Sequence, residues 1–346
     1  MLNNNVLQRS DFLTGAFPAE YGDGISGAFD LRMRNGNSKK REFVAQLGFN
    51  GFEFGAEGPF HKNSKASYLV NYRYSMLGLV DELLWVEALP HYQDLTFKVS
   101  FPGEKSNTSI FGLGGLSKIT FEDSSRVSDD LVRWISEPRG SKTGIIGINN
   151  TYYFNDNTRL KTSLALTSTI PYGMTDSLAH SGGPVIKNLS KYEEQQNDII
   201  IQSIITHNFN KKNKFKSGIV LHNYSTNYYI KDYDYDSETD SATIYDPYTI
   251  KENNLILFQS FVEWKHRFSN SITIISGLHY EHFLYNNTNS LEPRFSAQWK
   301  YASNRSLSFG YGLHSKLAPI YMFVRKTYTD REENGNTISY QTNRNL

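Results

Sequence analysis

The chain has 346 residues, and its 36 Lys and Arg against 35 Asp and Glu leave a formal net charge of +1, which gives no electrostatic footprint for nucleic acid. It contains no cysteine, so it has neither a disulfide framework nor a thiolate metal site. Mean hydropathy is −0.51 and no apolar run approaches the ~18 residues that a spanning helix needs, which excludes a helical membrane protein.

Residues 1–40 are rich in Asn and Gly, with short strand candidates at 6–13 and 28–34 on either side of the turn-like GAFPAEYGDGISG. A boundary falls near 35–40, separating this segment from a second unit over 41–346. Residues 1–20 lack a basic start followed by an apolar stretch, so no signal peptide is read there, and the chain is expected to begin inside a longer precursor.

From residue 41 onward the pattern gives about thirteen strands, at 41–48, 52–58, 65–74, 91–101, 107–118, 143–154, 158–169, 195–209, 213–229, 254–268, 271–284, 291–301 and 304–314. Several end in an aromatic at the lip of a tight turn: Phe60, Phe101, Phe154, Phe209, Phe268 and Tyr301. Counting back by twos from these aromatics collects apolar residues, such as Leu95, Phe97 and Val99, or Ile146, Ile148 and Tyr152. The other parity is polar, as in Asp94, Thr96, Lys98 and Ser100, or Glu292, Arg294, Ser296, Gln298 and Lys300. One apolar face and one charged face at a period of two is how a strand reads when it separates lipid from water, and the closing aromatic belongs at the membrane interface.

Connection lengths alternate. Short ones lie at 59–64, 102–106, 155–157, 210–212, 269–270 and 302–303, and longer polar ones at 75–90, 119–142, 171–194, 230–253 and from 315 onward. Short periplasmic turns and long external loops are the pattern of an outer-membrane barrel; the connections at 49–51 and 285–290 depart from it.

The stretch SDFLTGAFPAEYGDGISGAFDLRMRNGN, through Tyr21, Gly22, Gly24 and Gly27, resembles the end of the plug domain of TonB-dependent outer-membrane receptors. KREFVAQLGFNGFEFGAEGPFHKNSKASYLVNYRYS then resembles the first barrel strands of such receptors in Bacteroidota. The resemblance implies an antiparallel transmembrane β-barrel of ~22 strands closed by a plug, of which this all-β chain holds about thirteen, so it is expected to be a fragment. It also implies ligand-gated, TonB-energised uptake of a siderophore, glycan, peptide or cofactor, with outer-membrane lipid and the TonB system as partners. The energy-coupling box and most of the plug are not in this sequence. The alternatives are a passive porin or adhesin, and a soluble all-β binding protein.

Other motifs are weaker. Gly22, Gly24 and Gly27 spell G-x-G-x-x-G, but a strand-like segment follows instead of a helix, so a plug turn needing positive φ is preferred to dinucleotide binding. Asp232, Asp234 and Asp236 form a weak calcium candidate lacking the glycine and closing Glu of an EF-hand, with a solvated acidic loop as the ordinary reading. No metal or cofactor is expected. Met76, Leu79, Val80, Leu83 and Leu84 fall at helical spacing beside Trp85, giving a short helix that packs on the barrel's own loops or docks a surface lipoprotein. Nothing resembles a nucleophile elbow, and no catalysis is expected. Candidates for contacting a polar ligand near the outer rim are Arg73, His279, Glu281, Glu292, Arg294 and His314; a hydrated lumen wall would look the same.

Overall fold

The computed structural model describes residues 3–15, 17–48, 51–62, 64–75, 90–128, 131–180, 186–236, 241–244, 248–324, 326–328 and 340–342; side chains are described outside 9, 122–134, 177–188, 233–248 and 325–342. A hairpin of β1 (Leu7–Thr14) and β2 (Gly27–Met33) comes first. There follow β3 (Glu42–Gly48), β4 (Gly51–Pro59), β5 (Ser67–Ser75), β6 (His91–Pro102), β7 (Ser106–Ser128), β8 (Leu131–Asn155), β9 (Thr158–His180), β10 (Ile186–Asn208) and β11 (Asn213–Lys231). After the small hairpin of β12 (Tyr233–Asp236) and β13 (Ser241–Ile244) come β14 (Tyr248–Arg267), β15 (Ile272–Phe283), β16 (Thr288–Ala302) and β17 (Arg305–Gly312). Helix α1 (Ile320–Val324) and the short pair β18 (Lys326–Tyr328) and β19 (Tyr340–Thr342) complete the elements.

β3 to β11 and β14 to β17 form one 13-stranded antiparallel meander, each strand hydrogen-bonded to the next. The sheet is open: among the described residues, β3 and β17 are each paired on one side only. Asn and Ser side chains build its tight turns. Asn210 Oδ1 accepts the backbone N–H groups of Lys212 (2.9 Å) and Asn213 (3.0 Å), and Ser269 Oγ accepts those of Ser271 and Ile272. Such bonds let a short polar side chain stand in for backbone at a reversal.

Burial is inverted relative to a protein that folds around an apolar core. Outward-parity Leu47 is 80% exposed and Phe309 63%, whereas inward Asp94 and Arg294 are 3% and 4% exposed. The six closing aromatics are exposed along one rim. Phe60 and Phe101 stack nearly parallel at 6.2 Å, and Phe209 stacks on Trp264 at 5.6 Å.

Three connections expected as long loops are mostly strand. β7 and β8 pair out to Ser128 and Leu131, β9 and β10 continue to His180 and Ile186, and β11 and β14 reach Lys231 and Tyr248. About 9–11 residues cross a bilayer, so these strands of 19 to 25 residues run well past any apolar band. Ladder pairing needs no apolar face where water solvates both sides, so polar composition concealed the extensions. The short helix expected from Met76, Leu79, Val80, Leu83 and Leu84 lies outside the described residues. No described helix is long and apolar enough to cross a membrane.

Candidate functional site: an internal segment held by the polar face

Inward-facing polar residues of β14, β15 and β16 converge on residues 17–23, the segment between β1 and β2. Alternation puts Gln259, His279, Glu281, Glu292 and Arg294 on this one face, and strand pairing sets His279 opposite Glu292. Arg294 is central. Its Nη1 donates to Pro18 O at 2.9 Å and Tyr21 O at 2.5 Å, its Nη2 donates to Glu292 Oε2 at 2.5 Å, and the guanidinium lies 4.8 Å over the Phe17 ring. His279 Nδ1 donates to Ala19 O at 2.8 Å, while Nε2 lies 3.2 Å from Glu281 Oε1. Lys216 Nζ donates to Glu20 Oε1 at 2.6 Å, and the Asp23 N–H donates to Glu281 Oε1 at 2.6 Å.

Phe17 to Tyr21 and Asp23 are therefore each held, three of them through carbonyls that a buried segment must satisfy. Gly22 fits because it has no Cβ: one placed there would collide with the His279 ring and come within 2.7 Å of Glu281 Oε1. The expected positive φ at Gly22, Gly24 and Gly27 is not observed. Asp23 takes that conformation, with φ 51°. Asp is among the few side chains that tolerate it, and here both its backbone and its carboxylate are bound, so closeness to His279, not chain reversal, dictates glycine at 22.

A second segment enters the same network. After β17 the chain folds back, so that the Ser315 N–H donates to Glu292 Oε1 at 2.7 Å and the Leu317 N–H to Asp23 Oδ1 at 2.7 Å. Ser315 Oγ also donates to Glu292 Oε1. Beyond it, Ile320, Phe323 and Val324 of α1 pack with Tyr224, Ile250, Leu255, Leu257 and Phe283 in an apolar cluster. The His314 ring packs tilted against Phe17 at 4.2 Å, and its ring nitrogens are buried without a hydrogen-bond partner among the described residues. Burial, followed by the Arg294 charge, lowers the His314 pKa. Burial raises the Asp23 and Tyr21 pKa values.

A separate station holds the hairpin's base on β4 to β6. Asn3 donates to Asn71 Oδ1 at 2.8 Å, Asn5 to Glu53 Oε1 at 2.6 Å, and Arg34 grips Glu57 with both terminal nitrogens at 2.6 and 2.8 Å. Lys98 Nζ donates to Met33 O at 2.8 Å.

The six ligand candidates thus separate. His279, Glu281, Glu292 and Arg294 are buried against residues 17–23 and 315, His314 lies beside them, and Arg73 pairs with Asp94 across β5 and β6 at 2.9 Å. Lys216, Gln259, Phe17 and Ser315 belong to the network although the sequence did not single them out. Inward parity nominates Lys216 and Gln259, but it nominates every polar lumen residue equally. Asp232 is exposed at the end of β11, and the side chains of Asp234 and Asp236 lie outside the described residues. Among the described residues, no three His, Asp or Glu side chains group as a metal site would require.

No protein-family model and no curated protein matches the chain. Among solved structures it is similar to BauA, the ferric preacinetobactin receptor of Acinetobacter baumannii, with TM-score 0.58 and 12% identity over 93% of this chain and 53% of that one. A variant of the ferric enterobactin receptor PfeA of Pseudomonas aeruginosa gives TM-score 0.58 and 12% identity over 92% and 50%. The outer-membrane transporter YddB of Escherichia coli gives 0.56 and 11% over 90% and 48%. The chain spans about half the length of these proteins. The fold is that of β-barrel outer-membrane transporters.

Proposed function

We propose that the chain forms part of an outer-membrane, TonB-dependent receptor that imports a scarce nutrient by ligand-gated, energised transport. The observation that carries this reading is the seat of residues 17–23 on the inward polar face of β14 to β16, in a sheet whose outward face is apolar. A passive porin needs no such internal segment. A soluble all-β protein would bury the side chains this sheet exposes.

In this reading residues 1–40 are the tail of the plug and 41–346 contribute to the barrel wall, of the type found in Bacteroidota. The ring of Phe60, Phe101, Phe154, Phe209, Phe268 and Tyr301 marks the periplasmic rim, and the long hairpins of β7 to β10 project outside. His279, Glu281, Glu292, Arg294 and His314 act as the plug's anchor, which leaves ligand contact to residues nearer the external opening. The likeness to ferric siderophore receptors makes iron chelates the first ligands to test; glycans, peptides and cofactors follow. The role is transport, without catalysis.

The test is single-channel recording of the parent protein in planar bilayers. The unmodified protein should hold a closed conductance, and the double variant Glu281→Ala/Arg294→Ala should open pores by loosening the internal segment. A steady open pore in the unmodified protein would overturn the gated reading in favour of a porin.

A further inference from the structure

Glycines within this sheet commonly lie beneath an aromatic ring. A Cβ at Gly112 would meet Phe97, one at Gly140 Tyr172, one at Gly147 Phe111, one at Gly173 Tyr192 and one at Gly218 Phe261. A ring from the neighbouring strand restores the packing that a strand glycine omits. Gly114 and Gly144 break the pattern. They face each other across β7 and β8 on the outward parity, and a Cβ on either would meet only backbone, with Thr143 O at 3.3 Å from the first and Leu113 O at 4.0 Å from the second.

The bare pair floors an open groove on the apolar face. Two hollows of about 360 and 620 Å³ meet there, sharing Leu95, Gly114, Gly144 and Ser168. Phe97, Ile146, Leu166 and Ile199 wall the larger one, and Lys142 lines the smaller. Lys118 is exposed beyond Leu116 on the same parity. Pairing sets Lys118 opposite Gly140 and Lys142 opposite Leu116, so the two lysines are diagonal neighbours, with Cβ atoms less than ~8 Å apart. The Lys142 ammonium lies 5.6 Å from the Tyr172 ring.

Height along the barrel is consistent with a headgroup level. Lys142 stands about 40 Å along β8 from the rim residue Phe154 at ~3.3 Å per residue, which a ~40° tilt reduces to about 30 Å, just beyond an apolar band of ~25 Å. An apolar groove thus ends in a basic pair where membrane phosphates lie.

We infer that this groove seats an acyl chain of a phosphate-bearing membrane lipid, with Lys118 and Lys142 binding its headgroup. The inference rests on the reading that the outward face meets lipid. The two ammonium groups match the net charge of a phosphomonoester, which a zwitterionic headgroup lacks. The missing side chains at 114 and 144 leave the chain its room.

The test is native mass spectrometry of the full chain released from detergent micelles, with dimyristoyl phosphatidic acid or dimyristoyl phosphatidylcholine added. Phosphatidic acid should be retained under activation that strips phosphatidylcholine. The double variant Lys118→Ser/Lys142→Ser should weaken that binding about 25-fold, from about fivefold per lysine, and Lys118→Arg/Lys142→Arg should restore it. Gly144→Leu keeps both lysines and fills the groove, so it should lessen retention of both lipids. Far-UV spectra and melting curves confirm that each variant folds. Equal retention of the two lipids by the unmodified chain, or retention unchanged in both the serine and leucine variants, would overturn the inference. A chain that stays monomeric without detergent would instead overturn the membrane reading itself.

Discussion

Asp23 Oδ1 accepts the backbone N–H of Leu317 at 2.7 Å, tying the segment between β1 and β2 to the chain that folds back after β17. The same residue donates its own N–H to Glu281 at 2.6 Å and adopts φ 51°. One residue, through its backbone N–H and its carboxylate, thus couples an internal segment, a strand of the sheet and a returning loop.

Substitutions at position 23 separate these roles. Asp23→Asn keeps the acceptor and tolerates the positive φ, so it should hold the segment. Asp23→Gly keeps the backbone conformation but leaves the Leu317 N–H unpaired, which should cost ~1–3 kcal/mol of docking. Hydrogen exchange of the Leu317 amide reads the difference directly, and equal protection in both variants would refute the coupling.

Arg294 should be the most sensitive position of the network. Truncation to Ala leaves the Pro18 and Tyr21 carbonyls and the Glu292 carboxylate without their shared donor. Removing one partner of a buried charge pair costs ~3–5 kcal/mol, most of it from the charge left behind. Limited proteolysis should therefore cut within residues 17–24 of Arg294→Ala while sparing the unmodified protein. Arg294→Ala/Glu292→Gln should recover part of the protection, because it removes the orphaned carboxylate as well.

The meander was largely legible in the sequence because its physics is local. The parity of Leu95, Phe97 and Val99 against Asp94, Thr96 and Ser100 fixes which face is wet, and Asn210 and Ser269 announce their turns. The role of His279, Glu281, Glu292 and Arg294 was not legible. The partners of His279, Glu281 and Arg294 in the internal segment, Ala19, Asp23, Pro18 and Tyr21, lie more than 250 residues away, and they are reached through backbone atoms, which carry no residue-type signal. Gly22 was noticed for its apparent φ demand, whereas its real constraint is a ring presented by a distant strand. Polar composition likewise hid the outer halves of β7 to β10.

Docking of residues 17–23 should weaken in acid through His314. The Phe17 ring contributes to the burial that lowers its pKa, so the docked state should take up a proton less readily than the released state. The His314 contribution is therefore full above the released-state pKa of ~6.5 and is lost as pH falls from there through the lowered value. Arg294, Glu292 and His279 all act on this ring electrostatically, with the positive Arg294 as the strongest charge. Asp23 works in the opposite sense: its raised pKa favours docking as pH falls through the range above its released value of ~3.9. The difference between the unmodified protein and His314→Phe isolates the histidine. His314→Phe keeps a ring against Phe17 and should lose the part of the pH dependence below ~6.5 that disfavours docking. Segment release measured by hydrogen exchange checks this, and identical pH profiles would refute it.

Outward parity makes a quantitative claim about depth. Phe97 lies in the middle of β6, and Ile148 and Leu164 pair with each other in the rim-proximal parts of β8 and β9, all on the apolar face and within the span of an apolar band above the closing aromatics. Arginine at any of them in the lipid-inserted protein should cost ~2–4 kcal/mol, the penalty for a cation at the bilayer midplane. Asn149, one residue away and facing inward, should accept arginine at less cost. Thr96 is a poorer comparator than parity alone suggests, because it is 3% exposed on the face that holds residues 3–5 and 33–35. Equilibrium unfolding in lipid vesicles checks the contrast, and equal losses at positions 148 and 149 would refute the register.

The two open edges predict how this chain behaves when produced by itself. β3 presents its unpaired side along Glu42–Gly48 and β17 along Arg305–Gly312, among the described residues. Both carry exposed apolar side chains: Phe43 and Leu47 on one, Leu307, Phe309 and Tyr311 on the other. Unpaired backbone beside exposed apolar residues templates further strand addition. The 346-residue chain expressed alone should therefore form inclusion bodies or require detergent, and in lipid it should show neither heat-modifiable migration nor the protease resistance of a closed barrel. Adding strands that pair with both edges should restore both properties. Size-exclusion chromatography with light scattering, run with and without detergent, checks the first point. A monodisperse, detergent-free monomer with a cooperative melt would mean that the apolar face is covered by protein and not by lipid.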